Sequence, residues 1–127
     1  MATINPVIDR LTASPDESVV ICTWDGLAIS GDVGAPINFS AWSSKTFVVS
    51  GTFTGAPTIL IEGSNDGITW VSLSNRQGTA MSFTAASMNT SQDRPVFVRP
   101  RLSAGSGGAA VKVAVACHRE DLPGKGW

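Results

Sequence analysis

A chain of 127 residues, 43% hydrophobic and only 15% charged, is long enough for one domain with a sizeable core and too apolar to remain disordered. Its net charge of −1 argues against a general nucleic-acid binder, and no apolar run approaches the ~20 residues that span a bilayer. The charge is unevenly divided: residues 1–70 carry two cations against seven acids, residues 71–127 seven cations against three acids. Either the halves pair inside one domain, or the asymmetry orients neighbouring subunits.

Residues 1–16 read as an N-terminal arm, in which Pro6 and Pro15 bracket VIDRLTAS, a helical turn or an extended strap. The opening MATINPVIDRL lacks the basic start and apolar stretch of a secretory signal, so none is expected. From Glu17 the pattern becomes short β runs: residues 18–25, 35–40, 45–53, 58–64, 68–74, 79–84, 95–103 and 109–119. Turn clusters separate them, among them GDVG, TGAP, NDG, NRQG and AGSGG. Residues 85–93 make the longest candidate loop. This spacing, with no convincing amphipathic helix, predicts an all-β chain: a single antiparallel β-sandwich (jelly-roll or immunoglobulin-like) over 17–119, with an extended arm before it and a tail over 120–127.

Alternation assigns faces. Val111, Val113, Val115 and Cys117 point one way, with Lys112 and His118 opposite. Ile59 and Ile61 face inward and Glu62 outward. Val96, Val98 and Leu102 share a face, and Arg99 and Arg101 share the other. Pro100 cannot donate to a ladder, which predicts an edge or bulged strand there. Two arginines on an edge resist stray pairing and suit an acidic neighbour.

Asn65-Asp66-Gly67 tolerates left-handed backbone, so residues 58–64 and 68–74 should form a hairpin closed by this turn. If Val71 and Leu73 face the core, Trp70 lies over the outer face or at a subunit seam. The segment resembles the Asp-box of sialidases, one residue short, and a hairpin found in sugar-binding sandwiches; in both it is first a structural turn. Trp24, Trp42 and Trp70, if exposed, would offer a sugar platform, although the core needs large residues and the chain has no tyrosine.

Chemistry is sparse. The lone His118 ends a strand, no serine sits in a nucleophile elbow, and no carboxylate pair stands out. Cys22 and Cys117 with one histidine make no zinc site; they read as buried free thiols, with a disulfide between first and last strands the alternative. No enzyme activity, cofactor or metal is expected. In the tail, Pro123, Gly124 and Gly126 forbid regular structure, and Trp127 docks either on its own sandwich or in a partner.

Residues 45–119 resemble small virion proteins of tailed bacteriophages, of the capsid decoration (cement) or head-fibre-base type. The likeness rests on GTFTGAPTILIEGSNDGITWVSL, on VFVRPRLSAG and on the last valine-rich strand ending in Arg119. It implies a non-enzymatic sandwich on the capsid surface of a virion assembled in the host cytoplasm. Its partners would be the major capsid protein and copies of itself, a trimer above all, with neither nucleic acid nor membrane. A tail or baseplate subunit and a carbohydrate-binding receptor-recognition module are the alternatives. Expected contact residues are Ile4, Pro6, Val7, Ile8 and Leu11 in the arm, Arg99 and Arg101 on the arginine-bearing strand, and Leu122 and Trp127 in the tail.

Overall fold

The computed structural model describes residues 3–10, 19–39, 42 and 44–119. They form eleven strands and no helix: β1 (Thr3–Ile4), β2 (Val7–Arg10), β3 (Val19–Leu27), β4 (Val33–Gly34), β5 (Ser44–Thr52), β6 (Thr58–Ser64), β7 (Val71–Ser72), β8 (Ser82–Phe83), β9 (Ser87–Thr90), β10 (Phe97–Ala104) and β11 (Ala110–His118). The first sheet runs β1-β4-β10-β6-β7, with β8 also on β6; the second runs β2-β3-β11-β5-β9. All pairings are antiparallel except β1 with β4. The chain is thus an antiparallel β-sandwich.

Period-two alternation builds the core. Val20, Cys22 and Trp24 from β3, Phe47 and Val49 from β5, and Val111, Val113, Val115 and Cys117 from β11 are buried against Ile59, Ile61, Val98 and Leu102 of the first sheet. Each such side chain contributes roughly 1.5–3 kcal/mol of burial. Trp24 is wholly buried, which removes it from any exposed platform. Its ring spans the gap between the sheets, and Nε1 donates to Ala35 O at 2.9 Å.

Residues 3–10, read as part of an arm, are strands of both sheets. β1 lies beside β4, and Ala35 N donates to Ile4 O at 2.7 Å. After Asn5-Pro6 the chain crosses to β2, which pairs with β3. Of the two readings for VIDR, the extended one describes it. The segment 85–93, expected as a loop, contains β9, which pairs Ser87–Thr90 with β5. Its strand character is masked in sequence because polar residues fill most of an exposed edge. Of the expected strand 35–40, residues 35–39 form none: Pro36 lacks a donor, and only Ile37 makes a bridge, to Val98.

Arg99, Pro100 and Arg101 were expected on an edge or bulge. Instead β10 lies inside its sheet, paired with β6 through Pro100↔Ile61, and its register shift falls later, between Leu102 and Ala104. The proline is tolerated because its missing donor falls in a break of the other ladder. Val98 N donates to Ile37 O and Leu102 N to Asp32 O, and the Pro100 ring fills the space between, against Gly34. A Cβ on Gly34 would stand 2.6 Å from Pro100 Cδ and 2.6 Å from Trp24 Cδ1. Gly34→Ala should therefore cost about 1–3 kcal/mol of stability through overpacking, read by denaturant unfolding. An unchanged midpoint would show that the proline–tryptophan contact yields freely.

Candidate partner-binding surface

The inner face of the second sheet is the core; its outer face has no covering layer among the described residues. Backbone register lines up one row across all five strands, Val7–Thr23–Ala114–Val48–Met88. A second row, Asp9–Ile21–Ala116–Thr46–Thr90, lies beside it. The first row holds no charged residue, and the second holds one by register, Asp9 on the edge strand β2. Val7 and Met88 stand proud at the first row's two ends, 70% and 64% exposed, and the middle is floored by Ala114 and Ala116. Thr46 and Thr90 tie β5 to β9 through their hydroxyls, 2.9 Å apart. Beyond these rows, Asp25 and Lys112 pair in register at one end, and His118 lies at the other.

Strands of an antiparallel sheet with one wet face ordinarily alternate apolar and polar residues. Here VVIC in β3, FVV in β5 and VAVAC in β11 are apolar or small on both faces. That is the pattern of strands covered on both sides.

The first sheet's outer face is built differently. Glu62, expected to face solvent freely, is only 6% exposed. It lies on the outer side as alternation requires, but Arg99 Nε reaches Oε1 at 3.1 Å and Arg101 Nε reaches Oε2 at 2.9 Å. The Arg99 guanidinium also lies 4.1 Å over the Trp70 ring. This cluster joins one acid of the first half, Glu62, to two cations of the second. The two arginines are thus engaged with an acid inside their own sheet. Trp42 packs edge-on against Phe39 at 5.4 Å, beneath Arg119. The three tryptophans form no shared platform.

The SNDG turn organises one end of the molecule. Asp66 Oδ1 accepts from Ile68 N and Thr69 N, both at 2.8 Å, and from Ser64 Oγ at 2.9 Å. Gly67 takes the left-handed φ of +77° that closes the hairpin. Beside the turn lies a groove of about 490 Å³, floored by Gly63, Val71, Leu73 and Pro95 and flanked by Asp66 and Asp93. Leu73 is buried as expected, but Val71 is 64% exposed, because it lines this groove at the mouth of the core.

Bonds from Thr69 N, Ile68 N and the Ser64 hydroxyl pull the exposed Asp66 carboxyl from 3.8 down to about 2. A carboxylate whose folded value is depressed stabilises the fold above its unfolded value and loses that contribution as pH falls towards the folded one. Asp66→Asn should therefore be less stable than the parent at neutral pH, and the gap should close between about pH 3.8 and about 2. Thermal melts across that range read it; a gap that persists at the acid end would contradict the turn's account.

The expected contact residues divide. Ile4 and Pro6 are half-buried against their own sandwich, while Val7 on the outer row and Ile8 on the inner side of β2 remain exposed. Leu11, Leu122 and Trp127 lie outside the described residues. Sequence reasoning missed the outer rows of the second sheet, although outward Ala114 and Ala116 beside Val48 were a readable signal. His118 is exposed, and no group of three or more His, Cys, Asp or Glu able to hold a metal occurs among the described residues. Cys22 and Cys117 are buried thiols outside any disulfide, and a hydrogen bond from Cys22 pulls the Cys117 thiol down against the effect of burial. Lys45, also buried, donates to Trp42 O at 2.8 Å and Phe39 O at 3.1 Å, and desolvation pushes its pKa down. These groups face the core.

No protein-family profile and no curated protein sequence matches the chain. Solved structures do. The SPBc2 prophage-derived protein YomS superposes with a TM-score of 0.54 at 15% identity, over 77% of this chain and 94% of that one. At this identity the likeness concerns the fold. A recombinant oxalate oxidase (TM-score 0.46, 13% identity, 91% of this chain and 52% of that one) and a Bacillus endospore appendage protein (0.41, 15%, 92% and 91%) superpose with lower scores.

Proposed function

We propose that the protein is a non-enzymatic structural component of a tailed-bacteriophage virion, and specifically a capsid decoration protein. It lays the outer face of its second sheet on the major capsid protein, across joints between capsomers. The observation that carries the reading is the two-sided apolar character of β3, β5 and β11, with an uncharged row spanning five strands. A flat, rigid, weakly charged face loses little conformational entropy on docking and leaves few polar groups to desolvate. Small gains per copy accumulate when many copies bind one shell. Likeness in fold to a prophage-derived protein supports the phage setting. Exposed Val7 extends the face at one edge, and Leu122 and Trp127 would reach the shell from the chain's other end.

The test is co-sedimentation of the purified protein with phage heads assembled in its absence. Saturable binding at a fixed ratio to the coat subunit is expected. Recovery of the protein with isolated tails, and not with heads, would replace decoration by a tail or baseplate role.

A further inference from the structure

The groove beside the SNDG turn has an acidic rim and an apolar floor, and no cation occurs among its described lining residues. Just along the chain, a notch of about 110 Å³ is lined by Arg76 and Arg94 with Ser44, Ser91 and Gln92. The segment 91–95 runs between the two: Asp93 and Pro95 line the groove, while Ser91, Gln92 and Arg94 line the notch. Both arginines are exposed.

Each feature is held in place by its own turn. Asp93 Oδ2 accepts from Ser74 N at 2.7 Å, and Asn65 Oδ1 accepts from Val96 N at 3.1 Å, which pins the groove's two walls together. Arg76 rides a tight turn in which Asn75 Oδ1 accepts from Gln77 N and Thr79 N, both at 3.0 Å. The acidic groove and the basic notch therefore lie side by side along the segment 91–95.

We propose that the acidic groove receives Arg76, from the basic notch, of a second copy of this chain. The alkyl stem of an arginine would lie on Val71, Leu73 and Pro95, and its guanidinium would reach Asp93 or the Oδ2 side of Asp66, whose Oδ1 already accepts three bonds. Such a contact repeats from copy to copy or closes on itself, since every molecule carries both halves. It uses the loop end of the sandwich and leaves the outer face of the second sheet free, so it does not rest on the docking proposed above.

Sedimentation velocity in dilute buffer tests it, at about 50 mM and about 500 mM salt, where screening shortens markedly. The parent chain should associate at low salt and dissociate as salt rises. Arg76→Glu should raise the dissociation constant at least ~10-fold, corresponding to 1.4 kcal/mol or more. Val71→Lys, an exposed position that supplies the groove with its own cation, should do the same while the circular dichroism spectrum stays that of the parent. A parent chain that stays monomeric at low salt, or an association that both variants leave unchanged, would overturn the proposal. Head binding is read in a separate assay, so association without head binding, or the reverse, tells the two proposals apart.

Discussion

Trp24→Ala is expected to lower the unfolding free energy by about 3–5 kcal/mol, the range for emptying a large aromatic site in a packed interior. Domains of this size hold about 5–15 kcal/mol in all, so the variant should be marginal at room temperature. Three contacts set the size of the effect: Trp24 is wholly buried, it packs on Gly34 beside Pro100, and Nε1 bonds Ala35 O. Removing the ring opens a cavity where the β4 side of the first sheet meets β3. Trp24→Phe separates the terms, since it keeps an aromatic body and loses the donor. It should cost less than the alanine variant, with the carbonyl of Ala35 left to find another partner. Urea unfolding followed by circular dichroism measures both; equal costs would assign the site to hydrogen bonding and away from packing.

The second large effect concerns attachment, with stability held fixed. Ala114 sits in the middle of the outer row, between Thr23 and Val48, on the central strand of the second sheet. Ala114→Glu should change folding stability by no more than about 0.5 kcal/mol, as is usual for a surface position. On docking, however, a carboxylate would be stripped of water without a partner. A penalty of about 3 kcal/mol corresponds to a loss of roughly 100-fold in affinity for the shell. Val48→Glu should behave alike, while Lys112→Glu, beyond the row, should have a small effect. Quantitative pelleting with phage heads measures the three side by side.

How much of this was legible in sequence depends on which force acted locally. β11 and β5 were readable because burial on one face imposes period two, and Val111, Val113, Val115 and Cys117 obey it without exception. The hairpin at Asn65-Asp66-Gly67 was readable because positive φ restricts residue choice. β9 was not, since its hold on β5 is backbone pairing plus one hydroxyl contact at an edge, and neither needs an apolar pattern. The burial of Glu62 was hidden because alternation gives the side of the sheet but not what lies over it; Arg99 and Arg101 come from 37 and 39 residues away. Pro100 misled for a similar reason. Its missing donor announces a gap in one ladder, and that gap was supplied by Gly34 across the sheet. The outer rows of the second sheet combine five separate strands, so they become a surface only once register is known.

Electron cryo-microscopy of phage heads saturated with the protein tests the account most directly. The expected map has the sandwich lying flat on the coat, with the row from Val7 to Met88 in the contact and the SNDG turn pointing sideways along the shell. A map in which that row faces solvent, or heads that carry no density for the protein at saturation, would contradict it.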